Sequence, residues 1–217
     1  MPMKKFVFFD LDGTLADTDP DIRGAWKATL ADLGLACPDF DEKFVAGPPI
    51  DEMTKTLFPA TFTPELADAI RTGFARHYDH DGFPQTKEYP GVLGVVRMLK
   101  DVDATVAIVT NKRYVGATAM ARHFGWGQVF DRVYAGDMTE PKVRKPELLK
   151  RVLADYGAAP SDCVLVGDTV SDFEAARANG IDSVAVTWGY GDWDDYGQAT
   201  AICENPDGLF ACISSLP

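Results

Sequence analysis

Residues 5–14 read K-F-V-F-F-D-L-D-G-T, and the prediction of the fold begins from this segment. Its run of apolar residues does not alternate with polar ones, which predicts a strand buried on both faces, as in a parallel sheet. Asp10 and Asp12 follow at once, and Gly13 permits a tight turn directly after them. Because open α/β sheets bind ligands at the carboxyl ends of their strands, both carboxylates are expected at a ligand-binding edge.

Later segments repeat this pattern and complete the prediction of the fold. Buried strands are expected at residues 104–110, 132–135, 163–168 and 183–187. Helical patterns lie between or beside them, at residues 91–101, 112–124, 146–156 and 169–179. Strands that alternate with helices indicate βαβ units. The sequence therefore predicts an α/β protein with a doubly wound parallel sheet of the Rossmann-like kind.

Residues 16–88 break this alternation. They hold three helical patterns and no good strand: one opened by Asp19 as N-cap with Pro20 after it, one at residues 50–58, and one opened by Thr63 and Pro64. We therefore expect an α/β core made of residues 1–15 and 89–217, with a helical cap of residues 16–88 inserted after the first strand.

Composition excludes several classes of function. The chain has 217 residues with 33 Asp and Glu against 21 Lys and Arg, a formal net charge of -12. That balance argues against nucleic acid and against an anionic membrane surface, since both attract cationic proteins. The four cysteines lack zinc-site spacing, so free thiols are expected. Without a signal-peptide pattern or a membrane span, the expected location is the cytoplasm.

Four motifs in order resemble those of the haloacid dehalogenase-like superfamily of phosphatases. They are F-F-D-L-D-G-T-L at residues 8–15, I-V-T-N-K at 108–112, R-K-P-E at 144–147 and G-D-T-V-S-D at 167–172. The helical insert resembles that superfamily's C1 cap. The stretch V-T-W-G-Y-G at residues 186–191 is similar to its phosphoglycolate phosphatase branch.

The resemblance implies an Mg²⁺-dependent phosphatase that works through an aspartyl-phosphate. Asp10 is then the nucleophile, and Asp12 is the acid that protonates the leaving group and later the base toward water. Asp10, the Asp12 carbonyl and Asp168 are the implied metal ligands. Asp172 would bind the metal directly or through water. The alternative is that it is a favourable acidic residue in the first turn of a helix.

The same resemblance assigns residues that contact the phosphoryl group. Lys145 is preferred over Lys142 and Arg144 as the fixed positive charge, because a proline follows it and a helix begins there. Thr110 and the Asn111 backbone amide are the expected donors to the phosphoryl oxygens.

The expected substrate is a small phosphorylated metabolite. Residues 16–88 carry 14 acidic and 7 basic side chains, a poor docking surface for a phosphoprotein or a nucleic acid. Arg23 and Lys43 are the cap cations that we select first as candidates to bind a substrate carboxylate. Ion pairing with nearby acidic side chains explains them at least as well. His77 and His80 are interpreted as surface residues, not metal ligands. The protein is expected to be a monomer or a homodimer.

Two alternative functions remain open at this level. A β-phosphoglucomutase-like phosphotransferase would share the motifs and the cap, but Asp19-Pro20-Asp21 occupies the region where that group commonly carries a histidine. A receiver-type phospho-aspartate signalling module is more remote, because its acidic residues normally lie on different strands and it carries no cap.

Overall fold

The structure, a computed structural model, describes residues 3–80 and 83–217. Contacts divide the chain into two units. The core unit comprises Met1–Asp17 and Glu88–Pro217, and the helical unit comprises Thr18–Lys87. Within the described ranges, no helix is both long and apolar enough to cross a membrane.

The sheet of the core unit has the predicted parallel, doubly wound architecture. The described strands are β1 (Phe6–Phe9), β2 (Ala16–Asp17), β3 (Lys87–Glu88), β4 (Thr105–Thr110), β5 (Arg132–Ala135), β6 (Cys163–Gly167), β7 (Asp182–Val186) and β8 (Ala201–Cys203). Six of them form one sheet in the order β5-β4-β1-β6-β7-β8, and all of its neighbouring pairs are parallel. β2 and β3 form a separate two-stranded sheet.

Strand register brings the motif residues to one edge of the sheet. Phe9 of β1 is level with Ile108 of β4 on one side and with Val166 of β6 on the other. The Asp10 N–H donates to the Val166 carbonyl at 2.9 Å, which continues the β1–β6 pairing by one residue. Asp10, Thr110 and Asp168, the residue after β6, therefore lie at or just beyond the carboxyl ends of three neighbouring strands.

Helices of the core unit follow the predicted positions closely. They are α5 (Val92–Asp101), α6 (Tyr114–His123), α7 (Lys145–Tyr156) and α8 (Val170–Ala178), with two short additions, α9 (Trp193–Tyr196) and α10 (Leu209–Ser214). Gly157 ends α7 with φ 59°, a left-handed conformation that favours glycine. The sequence did not predict β8, α9 or α10, because three to six residues are too few to show a periodic pattern.

The helical unit differs from the prediction in three details. Its helices are α1 (Asp19–Asp32), α2 (Phe40–Lys43), α3 (Ile50–Leu57) and α4 (Pro64–His80), so one short helix was missed. The N-cap of α1 is Thr18, one residue before the predicted Asp19. The expectation of no strand in residues 16–88 was wrong at both ends, where β2 and β3 pair.

Apolar packing on the sheet holds the core unit together. Phe8, Val109 and Leu165 are fully buried, and they share one cluster with Leu149 and Val152 of α7. Each such side chain contributes roughly 1.5–3 kcal/mol when it is removed from water. The cluster fixes α7 against the sheet, and this position determines where the first residue of α7 can reach.

Candidate active site

Asp10 is a buried carboxylate with one satisfied and one unsatisfied oxygen. Its residue is 7% exposed, and Oδ2 lies 2.9 Å from the Lys145 ammonium nitrogen. Oδ1 is buried and has no hydrogen-bond partner among the described residues. Burial raises the pKa of Asp10 to about 6, against the opposing effect of Lys145 and with a further rise from Asp172. The sheet edge thus presents a carboxylate oxygen that no group in the described part of the chain satisfies.

Lys145 lies between two of the predicted carboxylates. It is the first residue of α7, and its Nζ contacts Asp10 Oδ2 at 2.9 Å and Asp172 Oδ1 at 2.6 Å. Burial lowers the pKa of this ammonium, but the charges of Asp10 and Asp172 outweigh burial and raise it overall. Lys145 is therefore a fixed positive charge in a site from which water is largely excluded.

Asp168 is completely buried behind the turn after β1. Its Oδ1 accepts a hydrogen bond from the Thr14 hydroxyl at 3.1 Å, and its Oδ2 accepts one from the Tyr190 N–H at 2.7 Å. Burial raises the pKa of Asp168 well above its usual range, and the nearby Asp172 and Asp10 raise it further. Two donors do not compensate for this burial, so the carboxylate has the environment of a cation ligand.

Asp172 is a first-turn helix acid, and its role toward a metal stays a prediction. Its Oδ2 accepts hydrogen bonds from the Thr169 N–H at 3.1 Å and the Thr169 hydroxyl at 3.0 Å, which caps α8. Its Oδ1 accepts from Lys145. The side chain is fully buried. It is thus a first-turn helix acid whose carboxylate also reaches the site.

The three buried carboxylates form a group that fits a divalent cation. Asp10, Asp168 and Asp172 each offer one oxygen, and these oxygens lie within 4.8 Å of one another. Among the contacts of the described residues, Lys145 is the only cation that pairs with these carboxylates. The Asp10 Oδ1 atom still has no hydrogen-bond partner there. Hard carboxylate oxygens at this spacing suit an ion such as Mg²⁺, Mn²⁺ or Ca²⁺. A divalent ion would supply the missing charge and satisfy the unpaired oxygen.

Asp12 is held by a lysine that the sequence analysis did not select. Lys112 Nζ lies 2.9 Å from Asp12 Oδ1, and the two side chains are only 6% and 14% exposed. Lys112 was visible in the second motif, but a lysine two residues beyond a strand gives no signal of its partner. Its contact with Asp12 joins residues that are 100 positions apart.

Thr110 and Asn111 lie at the end of β4, where the sequence predicted them. Thr110 is 1% exposed, and its hydroxyl oxygen accepts a hydrogen bond from the Lys112 N–H at 3.2 Å. That acceptance leaves the hydroxyl hydrogen available to a ligand. The Asn111 side-chain amide donates to the Ser171 hydroxyl at 3.1 Å, which ties the loop after β4 to α8.

The loop at residues 188–191 packs on Asp168 with almost no free space. A Cβ on Gly191 would lie 1.7 Å from the Asp168 carbonyl oxygen, and one on Gly189 would lie 2.4 Å from its Oδ2. The Trp188 ring N–H donates to the Thr14 carbonyl at 3.2 Å. The sequence showed this loop only as a family resemblance; the structure shows that its two glycines allow the backbone to reach a candidate metal ligand.

The predicted cap cations have acidic partners inside the helical unit. Arg23 donates to Asp19 at 3.0 Å and lies 3.3 Å from Asp41, and Lys43 pairs with Asp39. His77 Nε2 lies 2.8 Å from Asp32 Oδ2, whereas the His80 side chain is outside the described residues.

Comparison with known proteins agrees with this geometry. A family model described as haloacid dehalogenase-like hydrolase matches residues 7–186. A phosphoglycolate phosphatase of Xanthomonas campestris pv. campestris is 32% identical over 218 residues, covering 97% of this chain and 96% of that protein. Tyrosine-protein kinase PtkA of Mycobacterium tuberculosis is 30% identical over 201 residues, covering 91% of this chain and 68% of that protein.

A solved structure shows the same fold over nearly the whole chain. The crystal structure of a predicted phosphatase from Clostridium acetobutylicum aligns with a TM-score of 0.88 at 25% identity, covering 99% of this chain and 100% of that one. The family match spans more than half of the chain, and it includes the strand that carries Asp10 and the loop that carries Asp168. The chain therefore belongs to the haloacid dehalogenase-like hydrolase family and is an enzyme of its phosphatase type.

Proposed function

We propose that this enzyme is an Mg²⁺-dependent phosphatase that hydrolyses a small, phosphoglycolate-like phosphate monoester through an aspartyl-phosphate on Asp10. The observation that carries the proposal is the Asp10 carboxylate. One of its oxygens contacts Lys145, and the other is buried with no partner among the described residues. A buried carboxylate with an uncontacted oxygen, at the ligand-binding edge of the sheet, is placed to meet a metal ion through one oxygen and a phosphoryl group through the other.

In the first step the Asp10 carboxylate attacks the phosphorus atom. The bond from phosphorus to the ester oxygen breaks, and Asp12 transfers a proton to the departing alkoxide. The ion pair with Lys112 holds the Asp12 side chain in one orientation during this transfer. Lys145 and the Thr110 hydroxyl supply positive charge and a donor beside the transferring group.

In the second step water attacks the phosphorus of the aspartyl-phosphate. Asp12, now ionised, takes a proton from that water, phosphate is released, and the Asp10 carboxylate forms again. A bound Mg²⁺, held by Asp10, Asp168, Asp172 and the predicted Asp12 carbonyl, would neutralise the charge that builds up on the phosphoryl oxygens. Every side-chain donor in this set is a hard oxygen, which fits Mg²⁺, Mn²⁺ or Ca²⁺, and the resemblance to Mg²⁺-dependent phosphatases selects Mg²⁺ for this proposal.

The helical unit is proposed to select the substrate. The core unit presents groups only for a phosphoryl group, so discrimination between esters requires another part of the chain. The likeness to a phosphoglycolate phosphatase supports a small acidic ester. Arg23 and Lys43 stay candidates for a substrate carboxylate, and binding would then have to compete with their acidic partners.

A phosphate-release screen tests the proposal directly. The purified protein with Mg²⁺ is offered phosphoglycolate, pyrophosphate, nucleoside monophosphates, hexose phosphates and an aryl phosphate. We expect release from small monoesters with a preference for phosphoglycolate. The variant Asp10→Asn should release none, and the matched control Asp194→Asn, whose side chain is exposed in α9, should match the parent enzyme.

Three outcomes would contradict parts of the proposal. Turnover by Asp10→Asn would exclude Asp10 as nucleophile. An unchanged rate after EDTA treatment and dialysis would exclude the metal. Conversion between glucose 1-phosphate and glucose 6-phosphate without phosphate release would favour the β-phosphoglucomutase-like alternative.

A further inference from the structure

Two cysteines of the core unit lie against each other, far along the chain from the motif residues. Cys203 ends β8, and Cys212 lies in α10, which packs on that strand. The Cys203 thiol is buried and donates to the Asn205 carbonyl at 3.1 Å, and its sulfur lies close enough to Cys212 for each thiol to shift the pKa of the other. Cys212 Sγ is also 4.0 Å from the carbonyl oxygen of Ile202, the residue before Cys203. All four cysteines of the chain are free thiols in the structure.

We propose that Cys203 and Cys212 form a reversible dithiol/disulfide site that a hydroperoxide oxidises. A disulfide requires two cysteines whose backbones already lie close together, and the packing of α10 on β8 brings Cys203 and Cys212 near each other in this way. The other two cysteines have different neighbours. Cys37 lies near Asp39 Oδ1 at 3.6 Å, and the buried Cys163 donates to the Ala159 carbonyl at 3.2 Å.

The environment of the pair favours a thiolate on Cys203. The hydrogen bond from Cys212 lowers the pKa of Cys203 to about 7 against the effect of burial, while the same contact raises the pKa of Cys212. In contrast, burial raises the pKa of Cys163 to about 11 and also raises that of Cys37. Since thiolates are the reactive form, oxidation should begin at Cys203 in preference to Cys37 or Cys163.

The reaction balances with a hydroperoxide as the only oxidant. With hydrogen peroxide, the Cys203 thiolate attacks one peroxide oxygen, the O–O bond breaks, and the departing hydroxide takes up one proton and leaves as water. The Cys212 sulfur then attacks the sulfenic sulfur of Cys203, which forms the S–S bond and releases the hydroxyl group as a second water. Two thiols and one hydrogen peroxide thus give one disulfide and two waters.

Peptide mass mapping of the wild-type protein tests the proposal. The full chain is treated with a small excess of hydrogen peroxide, alkylated, and digested with trypsin. Residues 178–217 contain no Lys or Arg, so both cysteines fall in one C-terminal peptide. That peptide should resist alkylation and lose about 2 Da, the mass of two hydrogens. A second cleavage at Asp207, between the cysteines, should leave the two fragments joined until a thiol reductant is added.

Single variants separate a specific pair from general oxidation. In Cys212→Ser the peptide should instead show a sulfenic or more oxidised Cys203 without the 2 Da loss. Cys37→Ser should give the same cross-link as the parent. The proposal is overturned if the parent protein under these conditions keeps two alkylatable thiols in residues 178–217, gains oxygen there without a cross-link, or forms only disulfides between chains.

Discussion

Replacing Asp10 with Asn should stabilise the metal-free protein although it abolishes turnover. Asp10 has a pKa of about 6 in the folded protein, against an ordinary value of 3.8, because it is buried beside two further carboxylates. The difference is about two pKa units, and each unit corresponds to about 1.4 kcal/mol. At pH 7.5 the ionised carboxylate therefore costs the folded state about 3 kcal/mol, and an Asn of the same shape removes that cost.

The direction of the pH dependence follows from the raised pKa. Between pH 4 and pH 6, approximately, the folded protein binds a proton at Asp10 that the unfolded chain has already lost. The contribution of this group to stability is therefore complete below about pH 4 and is lost as the pH rises through about 6. Asp10→Asn has no such proton, so its advantage over the parent should be near zero at pH 4 and full at pH 7.5.

Urea unfolding in EDTA, at several pH values between 4.5 and 7.5, measures the effect. At pH 7.5 we expect Asp10→Asn to be more stable by about 3 kcal/mol, with a melting temperature roughly 6–12 °C higher. Asp194→Asn is the control and should show no such change with pH. Mg²⁺ at 100 times its dissociation constant should add about 2.7 kcal/mol to the parent and less to Asp10→Asn. A variant no more stable than the parent at pH 7.5, or an advantage that does not change with pH, would refute the reasoning.

Three further variants test the same site. Lys145→Met should destabilise the metal-free protein at pH 7.5 by about 3–5 kcal/mol, measured by urea unfolding, because buried carboxylates lose their cation; equal stability would contradict this. Lys112→Met should slow the hydrolysis of an alkyl phosphate at least tenfold more than that of 4-nitrophenyl phosphate, whose leaving group needs less protonation. Equal losses of rate with the two substrates would exclude an effect on the general acid. Gly191→Ala should weaken Mg²⁺ binding in calorimetry about tenfold or more, because its methyl group would overlap the Asp168 carbonyl. Gly197→Ala, where a Cβ meets nothing within 4 Å, is its control.

The sequence was sufficient to predict most strands of the main sheet, because buried parallel strands produce unbroken apolar runs. Residues 132–135 were predicted with the bounds that the structure gives to β5, and the other predicted strands of the sheet differ by one or two residues at their ends. The three-residue strand β8 was missed. Its place depends on hydrogen bonding to β7, with Cys203 level with Val186, and such long-range pairing leaves no local pattern.

The candidate site also contains residues that the sequence predicted and one that it did not. Asp10, Lys145, Asp168 and Asp172 were selected from their motifs, and the structure brings them together; their catalytic roles stay predictions. Lys112 was not selected, since a charged residue near a strand end is ordinary and its partner is 100 residues away.

The amino-acid sequence was sufficient to predict the longer strands and helices in their order, the family, and the candidate site positions. These depend on local patterns: apolar runs, residues that end helices, and acids placed directly after strands. Only the tertiary structure decided the electrostatic state of those positions. Burial, the ion pair with Lys145 and the charge of Asp172 set the pKa of Asp10, and all three arise where β1, α7 and α8 meet. Desolvation and Coulomb interactions depend on distance in space, which separation along the chain does not reveal.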